Sequence, residues 1–298
     1  MSLVVLTGTT GYIGQNLTYF FNSKSKKNKS ISLRFQNWHK MMPIETETII
    51  HLAAINLNPI GSAFDEEYFR VNTELTKKLF RYFISSNAKT FIFLSTTELV
   101  DSQVSNVTET SKTNPVNAFL QSKYEAEQFI LNQQLPDGKR VIILRSAPVY
   151  GRESNSNLHD YFTSCKRFPW FFGVFNTNRS FCYIDNLTEI IHQIIEKPTM
   201  SSGVYNVADD APVATIQLVH WIADVLERKP RIFNIPKGIL NLFAKIGDVM
   251  KWEFNSNKLF EISHSRQVDV NKLKNGLQIS KMPYDTEYSI LKTLEYYN

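Results

Sequence analysis

The chain has 298 residues, of which 43% are hydrophobic, and a formal net charge of +5. This length suits one large domain or a main domain with a smaller lobe, and the hydrophobic share excludes a disordered chain. The cysteines Cys165 and Cys182 are not spaced as C-x-x-C and the six histidines are scattered, so no disulfide framework or metal site is expected.

No apolar run approaches about 20 residues, and the first residues lead directly into an apolar strand pattern. A short lysine run at residues 24–29 has no aromatic residues between its charges, which is typical of a solvated loop. We therefore expect a soluble, cytoplasmic protein with no membrane or nucleic-acid partner.

Apolar runs alternate with helical patterns in the first half of the chain. Strands are predicted at residues 3–6, 31–33, 48–52, 91–94 and 141–144, and helices at 12–21, 66–86 and 117–132. This alternation predicts an α/β fold, a Rossmann-type doubly wound parallel sheet over residues 1–150. Only residues 35–47 separate the second strand from the third, so an edge βα unit is predicted to be shortened or missing.

The second half of the chain loses this alternation. Helices are predicted at residues 186–196, 215–226 and 239–250, after a loop-rich stretch that begins at residue 151. We predict a smaller C-terminal α+β substrate lobe over 151–298, with segments near 180–210 returning to the sheet. A stripe in the last helix is interpreted as core packing rather than as a membrane or partner face: Leu240, Phe243, Ile246 and Met250.

A glycine pattern follows the first strand and opens the first helix. Gly8 suits a tight turn, Gly11 lets the backbone approach a pyrophosphate, and Gly14 lets helix and strand pack closely. The helix N-terminus offers N–H groups and the positive end of its dipole to phosphates. The strand–glycine–helix context favours a dinucleotide site. The residues predicted to contact the coenzyme here are Gly8, Thr10, Gly11, Tyr12, Ile13 and Gly14.

The end of the second strand indicates which coenzyme binds. An acidic residue there would hold the ribose 2′-OH of NAD, but none lies between Lys29 and Ile44. Arg34 stands at the predicted strand end, and a guanidinium suits a 2′-phosphate. This favours NADP over NAD, and the alternative is that Arg34 is merely solvated.

The glycine spacing, T-G-x-x-G-x-x-G, resembles that of the extended short-chain dehydrogenase/reductase family, also called the NAD-dependent epimerase/dehydratase family. Residues 51–54, Asn72, 95–98 and 145–151 match further family segments in the same order. Residues 178–187 are similar to a stretch of sugar-nucleotide 4-epimerases and 4-ketoreductases. The resemblance implies that NAD or NADP is also contacted by Leu52, Ala53, Ala54, Lys123, Pro148 and Val149.

The resemblance also implies a partner for the site and an assembly. The substrate would be a nucleoside-diphosphate sugar such as a UDP-sugar, contacted by Thr97 and Arg179, and the sequence offers Arg266 as a second candidate for the same anion. A guanidinium fork suits a pyrophosphate, and a surface ion pair is the alternative for Arg179. Family members often dimerise through two long helices, here those near residues 66–86 and 117–132. Aromatic residues that would stack on the base, or simply pack the lobe, are Phe168, Trp170, Phe171, Phe172 and Phe175.

The family's catalytic Tyr-x-x-x-Lys motif is incomplete. The segment here reads F-L-Q-S-K, so Lys123 is present and Phe119 replaces the tyrosine. Tyr124 points about 100° away from Lys123 around the helix and is interpreted as a packing residue. The resemblance assigns catalysis to Lys123 and Thr96. Glu98 is a hypothetical replacement proton donor, and its alternative is a solvent-facing glutamate.

His51 ends an apolar strand and is interpreted as a hydrogen-bonded core histidine rather than a catalyst. Two functions remain open. The first is an NAD(P)-dependent nucleotide-sugar epimerase or 4-ketoreductase acting at sugar C4, impaired by Phe119. The second is a catalytically inactive regulatory or sensor protein that binds a dinucleotide or sugar nucleotide. The intact Lys123, Thr96 and Arg179 favour the enzyme, since a lost general acid slows a reaction about 10²–10⁴-fold without preventing coenzyme binding.

Overall fold

The computed structural model describes residues 2–55, 65–154, 157–167, 170–171, 177–232, 237–250, 252 and 255–298. The described strands are β1 (Leu3–Thr7), β2 (Asn28–Ser30), β3 (Thr46–His51), β4 (Thr90–Thr96), β5 (Asn106–Val107), β6 (Arg140–Ser146), β7 (Val149–Tyr150), β8 (Trp170–Phe171), β9 (Asn178–Arg179), β10 (Cys182–Tyr183), β11 (Gly203–Val207), β12 (Val213–Ala214), β13 (Arg231–Ile232) and β14 (Gln267–Val268).

The described α-helices are α1 (Tyr12–Ser23), α2 (Asp65–Tyr68), α3 (Leu75–Ser85), α4 (Ala118–Leu131), α5 (Asn157–Arg167), α6 (Ile184–Glu196), α7 (Thr215–Val225), α8 (Lys237–Met250), α9 (Ser256–Ser263), α10 (Asn271–Leu277) and α11 (Thr286–Tyr297). A π-helical segment, Phe69–Glu74, joins α2 to α3. Short 3₁₀ helices lie at Trp38–Met41 and Thr97–Leu99. The long helix predicted at 66–86 is therefore one continuous rod with a π-turn inside it.

Six strands form one parallel sheet in the order β2-β1-β3-β4-β6-β11. All five residues of β1 are buried, as is expected of a parallel strand that helices cover on both faces. Strand β11 lies beside β6, within the segments near 180–210 that are predicted to return to the sheet. The sheet confirms the predicted Rossmann-type α/β fold, whereas the division into two domains at residue 150 stays a prediction.

The two faces of the sheet are covered by different helices. Alternate residues of β1 separate between them, with Val4 and Leu6 on one face and Val5 on the other, as a period of two requires. The first face packs against α1 and α6, and the second against α3 and α4. The buried side chains that these helices contribute are Leu17 and Phe21, then Leu187, Ile190 and Ile194, then Leu79, Phe80 and Phe83, and then Ala126 and Ile130.

The edge of the sheet differs in one respect from its prediction. Strand β2 lies at Asn28–Ser30 instead of 31–33, because Ile31 and Leu33 are core residues beyond the strand rather than members of it. Ile31 still donates its N–H to the carbonyl of Leu6 at 2.8 Å. Between β2 and β3 the only helical element is the 3₁₀ turn Trp38–Met41, which confirms that the edge βα unit is shortened.

Helix α8 contradicts its prediction as core packing. Leu240 is buried, but Phe243, Ile246 and Met250 are exposed. The residues that face the protein with Leu240 are the small Ala244 and Gly247, which allow α8 to pack closely on α9. The apolar arc of α8 is wider than the strip it buries, and the periodicity of the sequence does not reveal which part of such an arc is covered.

Candidate active site

The turn between β1 and α1 accepts only glycine at two of its three glycine positions. Gly8 has φ +76°, in the left-handed region that side chains disfavour, and a Cβ there would lie 2.4 Å from the backbone nitrogen of Ala53. A Cβ at Gly14 would lie 2.2 Å from the carbonyl oxygen of Gly8. These two glycines therefore hold strand, turn and helix together, and they bring Ala53 and its neighbour Leu52 beside the turn.

Gly11 has no such steric reason within the protein. A Cβ there would be 3.5 Å from the carbonyl oxygen of Gly8, an ordinary contact, and the residue is exposed beside the exposed Thr10. Gly11 is the N-cap of α1, and no side chain caps that end of the helix. The first-turn N–H groups of Tyr12 and Ile13 thus lie behind a residue without a side chain, an arrangement that suits a pyrophosphate.

Replacing Gly11 by alanine is expected to weaken coenzyme binding at least tenfold, about 1.4 kcal/mol, with little loss of stability. The added methyl group meets no protein atom closely but stands where a pyrophosphate would approach the backbone. Replacing this N-cap glycine by alanine should lower the free energy of unfolding by less than about 1 kcal/mol. Calorimetric titration with NAD and NADP measures the first effect, and thermal unfolding the second. If a folded Gly11→Ala variant binds the coenzyme as tightly as wild type does, the N-terminus of α1 is not the pyrophosphate site.

His51, at the end of β3, is a buried structural histidine, which confirms its interpretation. Its Nδ1 lies 2.7 Å from the hydroxyl of Thr7 and its Nε2 lies 2.8 Å from the hydroxyl of Thr76. Thr76 donates its proton to the carbonyl of Asn72, so it accepts from Nε2–H, and Nδ1 accepts from Thr7. Burial, aided by the charge of Lys123, lowers the pKa of His51 to about 3.

This shift predicts a loss of stability in acid. Because the pKa of His51 is about 3 in the folded protein and about 6.5 when unfolded, its contribution is complete above pH 6.5 and is lost as pH falls toward 3. Between pH 7 and 4.5 the difference in unfolding free energy between wild type and His51→Asn should shrink by about 3 kcal/mol. Urea unfolding at both pH values measures it, with the exposed His39→Asn as control. A constant difference would mean that His51 titrates normally.

Lys123 is held at the inner face of α4. The helix begins after Asn117, whose side-chain oxygen accepts the N–H of Leu120 at 2.8 Å. The ammonium of Lys123 donates to the carbonyl of Leu94 at 2.6 Å and lies 4.3 Å from the centre of the Phe93 ring. Burial lowers the pKa of Lys123 to about 8, and the charge of Glu127 partly offsets this effect.

Phe119, one turn before Lys123, is partly buried and presents its ring edge-on to Tyr68 at 5.9 Å between centres. The π-helical segment places Asn72 against Ser122 of the same helix. The Asn72 amide donates to the hydroxyl of Ser122 at 3.0 Å, and its oxygen accepts the N–H of Ile55 at 2.8 Å. Asn72 thus fastens the segment that follows β3 to the helix that carries Lys123.

The residues that follow β4 form a short 3₁₀ turn. The hydroxyl of Thr96 accepts the N–H of Glu98 at 3.1 Å, which leaves its own proton available to a ligand. Thr97, predicted to contact substrate, is buried, and its hydroxyl lies 3.3 Å from the carbonyl of Ser146. Glu98 is exposed. The turn therefore exposes Glu98 and part of Thr96, whereas Thr97 is buried with its hydroxyl toward Ser146.

A cleft of about 300 Å³ opens beside this turn. It is lined by residues from the turn after β4, from the start of α4 and from two segments of the second half of the chain, and it includes Thr97, Glu98, Pro148, Arg179, His264 and Arg266. Arg179 lies in β9 and is paired with Val213 of β12. Two guanidinium groups on one wall give the cleft a cationic side that matches a diphosphate.

Arg266 has a second task that its sequence position does not reveal. One of its terminal nitrogens donates to the carbonyls of Thr97 and Val100, each at 2.8 Å, and the other lies 3.3 Å from the carbonyl of Asp101. Three of the five guanidinium N–H groups are thus used to hold the turn after β4. Arg266 acts first as the support of that turn, and two N–H groups remain for an anion.

The remaining predicted contacts are placed as follows. Arg34 lies in an exposed turn four residues beyond the end of β2, rather than at the strand end. Ala54 is exposed after β3, and Val149 begins β7, which pairs with β10. The side chains of the aromatic group at 168–175 lie outside the described residues.

Sequence reasoning missed the stack of His264 on Phe260, with ring centres 3.7 Å apart at the cleft.

A family model, the NAD dependent epimerase/dehydratase family, matches residues 4–208. A relative named UDP-glucose 4-epimerase, from Vibrio cholerae, is 26% identical over 300 residues, which cover 92% of this chain and 89% of the relative. A second, from Escherichia coli O157:H7, is named N-acetyl-alpha-D-glucosaminyl-diphospho-ditrans,octacis-undecaprenol 4-epimerase and is 21% identical over 259 residues, 84% of this chain and 77% of the relative.

Among solved structures, MoeE5 in complex with UDP-glucose and NAD has the same fold. It superposes with a TM-score of 0.73 at 16% identity, covering 98% of this chain and 97% of MoeE5. The family model spans the glycine turn, Lys123 and the cleft residues up to Arg179. The chain therefore belongs to the NAD-dependent epimerase/dehydratase family, which is a family of enzymes.

Proposed function

We propose that this chain catalyses NAD(P)-dependent epimerisation of a nucleoside-diphosphate sugar at C4, at a rate limited by Phe119. The observation that carries the proposal is the shared location of three features: the open N-terminus of α1, the buried Lys123 and the cationic cleft lie at the carboxyl ends of neighbouring parallel strands. Ligands of doubly wound folds bind in that place. The names of the relatives, which include a UDP-glucose 4-epimerase, support C4 of a UDP-sugar.

The residues present fit a dinucleotide, because a Cβ at Gly11 would occupy the approach to the uncapped helix end. The chemistry that bound nicotinamide supplies is the removal of hydride from the sugar carbon and its return. Lys123 would hold the ribose hydroxyls with its ammonium. Thr96 would donate a hydrogen bond to the reacting sugar oxygen, and Arg179 would hold the diphosphate.

The proton at the sugar oxygen is the open step of the reaction. Phe119 has no exchangeable proton, so another group must hold it. We propose Glu98 as the proton donor, because it borders the cleft. Its negative charge also raises the pKa of Arg266, the residue that supports the same turn, against the larger lowering by burial. Turnover that is unchanged in Glu98→Gln would leave a water molecule as the donor.

The decisive experiment combines mass spectrometry of the purified protein with an assay on UDP-glucose. Retained NAD and slow formation of UDP-galactose are expected. Protein that carries no coenzyme and binds only NADPH, with reduction of a 4-keto sugar, would assign the reductase instead and would give Arg34 its predicted role. Absence of both coenzyme binding and turnover would contradict the enzymatic proposal. A homodimer through α3 and α4 stays a prediction.

A second substrate is favoured by a specific observation. The name of the Escherichia coli relative describes a sugar linked through diphosphate to undecaprenol, and the exposed apolar side of α8 suits a protein that works beside a lipid surface. The cleft need only hold the sugar and the diphosphate, which both substrates share. Parallel assays on UDP-N-acetylglucosamine and its polyprenyl-diphosphate counterpart separate the two.

A further inference from the structure

Helix α8 carries an apolar surface that the rest of the protein leaves uncovered. We call it the outer face of α8, and it consists of Ile239, Leu242, Phe243, Ile246, Val249 and Met250. All six are exposed, Val249 by 82%, Leu242 by 61% and Met250 by 58%. At about 100° per residue they fall within an arc of about 120°, so they form one continuous surface. Large contiguous apolar surfaces of this kind mark interaction sites.

The outer face is separate from the side by which α8 joins the fold. The buried residues Leu240, Ala244 and Gly247 lie in an arc on one flank of the outer face, and the exposed polar residues Asn241, Lys245 and Asp248 lie in an arc on its other flank. Trp252, two residues after the end of the helix, is half exposed. An exposed apolar arc that contains leucine, isoleucine and phenylalanine, beside an exposed polar arc, is the pattern of a helix that lies in a membrane interface.

The charge around α8 indicates which surface fits it. Between the end of α7 and the start of α9, residues 226–255 carry six Lys or Arg residues and three Asp or Glu residues. This tenth of the chain holds +3 of the total charge of +5. An anionic lipid surface attracts such a segment by about 1 kcal/mol per basic residue near it. Two copies meeting at this face would instead bring two positive segments together.

The length of α8 decides how it would lie. Its 14 residues span about 21 Å, which is short of the roughly 30 Å of a bilayer core. Within the described ranges, no helix is both long enough and apolar enough to cross a membrane. A helix of this kind binds parallel to the surface, with its apolar side at the boundary of headgroups and acyl chains.

We propose that the outer face of α8 docks this protein on an anionic membrane surface. The proposal differs from the expectation of no membrane partner, and it does not depend on the sugar that the enzyme uses. It would place the catalytic domain at the membrane whether its substrate is dissolved or bound to lipid. The attraction is electrostatic at long range and apolar on contact.

Co-sedimentation of the full chain with vesicles tests the proposal. We expect binding to vesicles of phosphatidylglycerol and phosphatidylcholine, at least tenfold weaker binding to phosphatidylcholine alone, and weakening by 0.5 M NaCl. The double variant Phe243→Glu/Ile246→Glu should reduce binding at least tenfold. The matched control is Tyr19→Glu/Tyr288→Glu, which places two charges at exposed apolar positions on α1 and α11 and should bind as the wild type does.

Circular dichroism and thermal unfolding check that the variants fold, and Phe243→Gln/Ile246→Gln provides a milder pair if the glutamates unfold α8. Binding that is absent, or that is equal in wild type and in a folded α8 variant, would overturn the proposal. So would light scattering that shows a dimer which the α8 variant alone converts to a monomer, because the outer face would then belong to a second copy.

Discussion

Phe119→Tyr is expected to raise kcat on UDP-glucose by about 10²–10⁴-fold, because it restores a general acid–base group one helical turn before Lys123. The ring of Phe119 is already positioned by its edge-on contact with Tyr68, so a tyrosine ring can occupy the same place. In the proposed reaction, Lys123 supplies the other half of the motif. Its buried ammonium, with a pKa near 8, would stabilise the phenolate of a neighbouring tyrosine.

The controls separate the phenol from a mere change of packing. Phe119→Leu alters the packing without adding a proton donor and should not increase kcat. Lys123→Met in the tyrosine background should remove most of the gain, because no cation then favours the phenolate. The pH dependence of kcat/KM should acquire a new ionisation in Phe119→Tyr alone. Steady-state assays across pH 6–10 measure all three variants.

If wild type already turns over rapidly and tyrosine adds nothing, the chain has another proton donor. A loss of turnover in Glu98→Gln, with unchanged coenzyme affinity, would then identify Glu98 as that donor. If tyrosine creates activity in a protein that otherwise has none, the natural chain is a lapsed enzyme that still binds its ligands. Either result distinguishes the loss of one chemical group from the loss of the site.

The sheet and the glycine turn were accessible from the sequence because their signals are local. A continuous apolar run, a glycine that must adopt positive φ, and a helix start lie within the first fourteen residues, and the structure places Gly8 and Gly14 where only glycine fits. His51 was interpretable for the same reason, since a polar residue at the end of an apolar strand must find hydrogen-bond partners. The structure provides these partners in Thr7 and Thr76.

What the sequence could not provide depends on contacts between distant segments. Arg266 was predicted to bind an anion, yet most of its N–H groups hold a turn more than 160 residues earlier in the chain. The apolar stripe of α8 indicated a helix with an apolar side, but which part is covered depends on where α9 packs. Ile31 and Leu33 suggested a strand because a buried loop at the edge of a sheet requires apolar residues of the same types as a strand does.

Among the proposed substitutions, we expect the largest loss of stability from breaking the buried ion pair between Glu127 and Arg145. Its side chains are 0% and 5% exposed, and Arg145 contacts the carboxylate from Nε at 3.1 Å and from Nη2 at 2.7 Å. Glu127→Ala leaves a buried guanidinium without its counter-charge, so unfolding free energy should fall by about 3–5 kcal/mol. Urea unfolding measures the loss.

Two further variants test whether the unpaired charge, rather than the loss of the pair itself, causes the fall in unfolding free energy. Glu125→Ala removes the same charge from a less buried position of α4 and should cost about 0.5 kcal/mol or less. Glu127→Leu combined with Arg145→Met replaces both charges by apolar groups and should recover most of the stability, because two desolvated ions are often no better than a packed apolar pair. If the double variant is less stable than Glu127→Ala, the pair is itself stabilising.

Removing the charge of Glu127 without shortening its side chain should also change coenzyme binding. Glu127 lies one helical turn after Lys123, and its negative charge raises the pKa of that lysine against the lowering effect of burial. Without this charge the pKa of Lys123 should fall below 8, so a larger fraction of the lysine is neutral at pH 7.5. Because we propose that the Lys123 ammonium holds the coenzyme, binding should weaken. Coenzyme titrations of Glu127→Gln between pH 6 and 9 should therefore show affinity declining at a lower pH than in wild type. A parallel pair of curves would mean that Glu127 supports the fold alone and that the ammonium of Lys123 is set by burial and by its contact with Leu94.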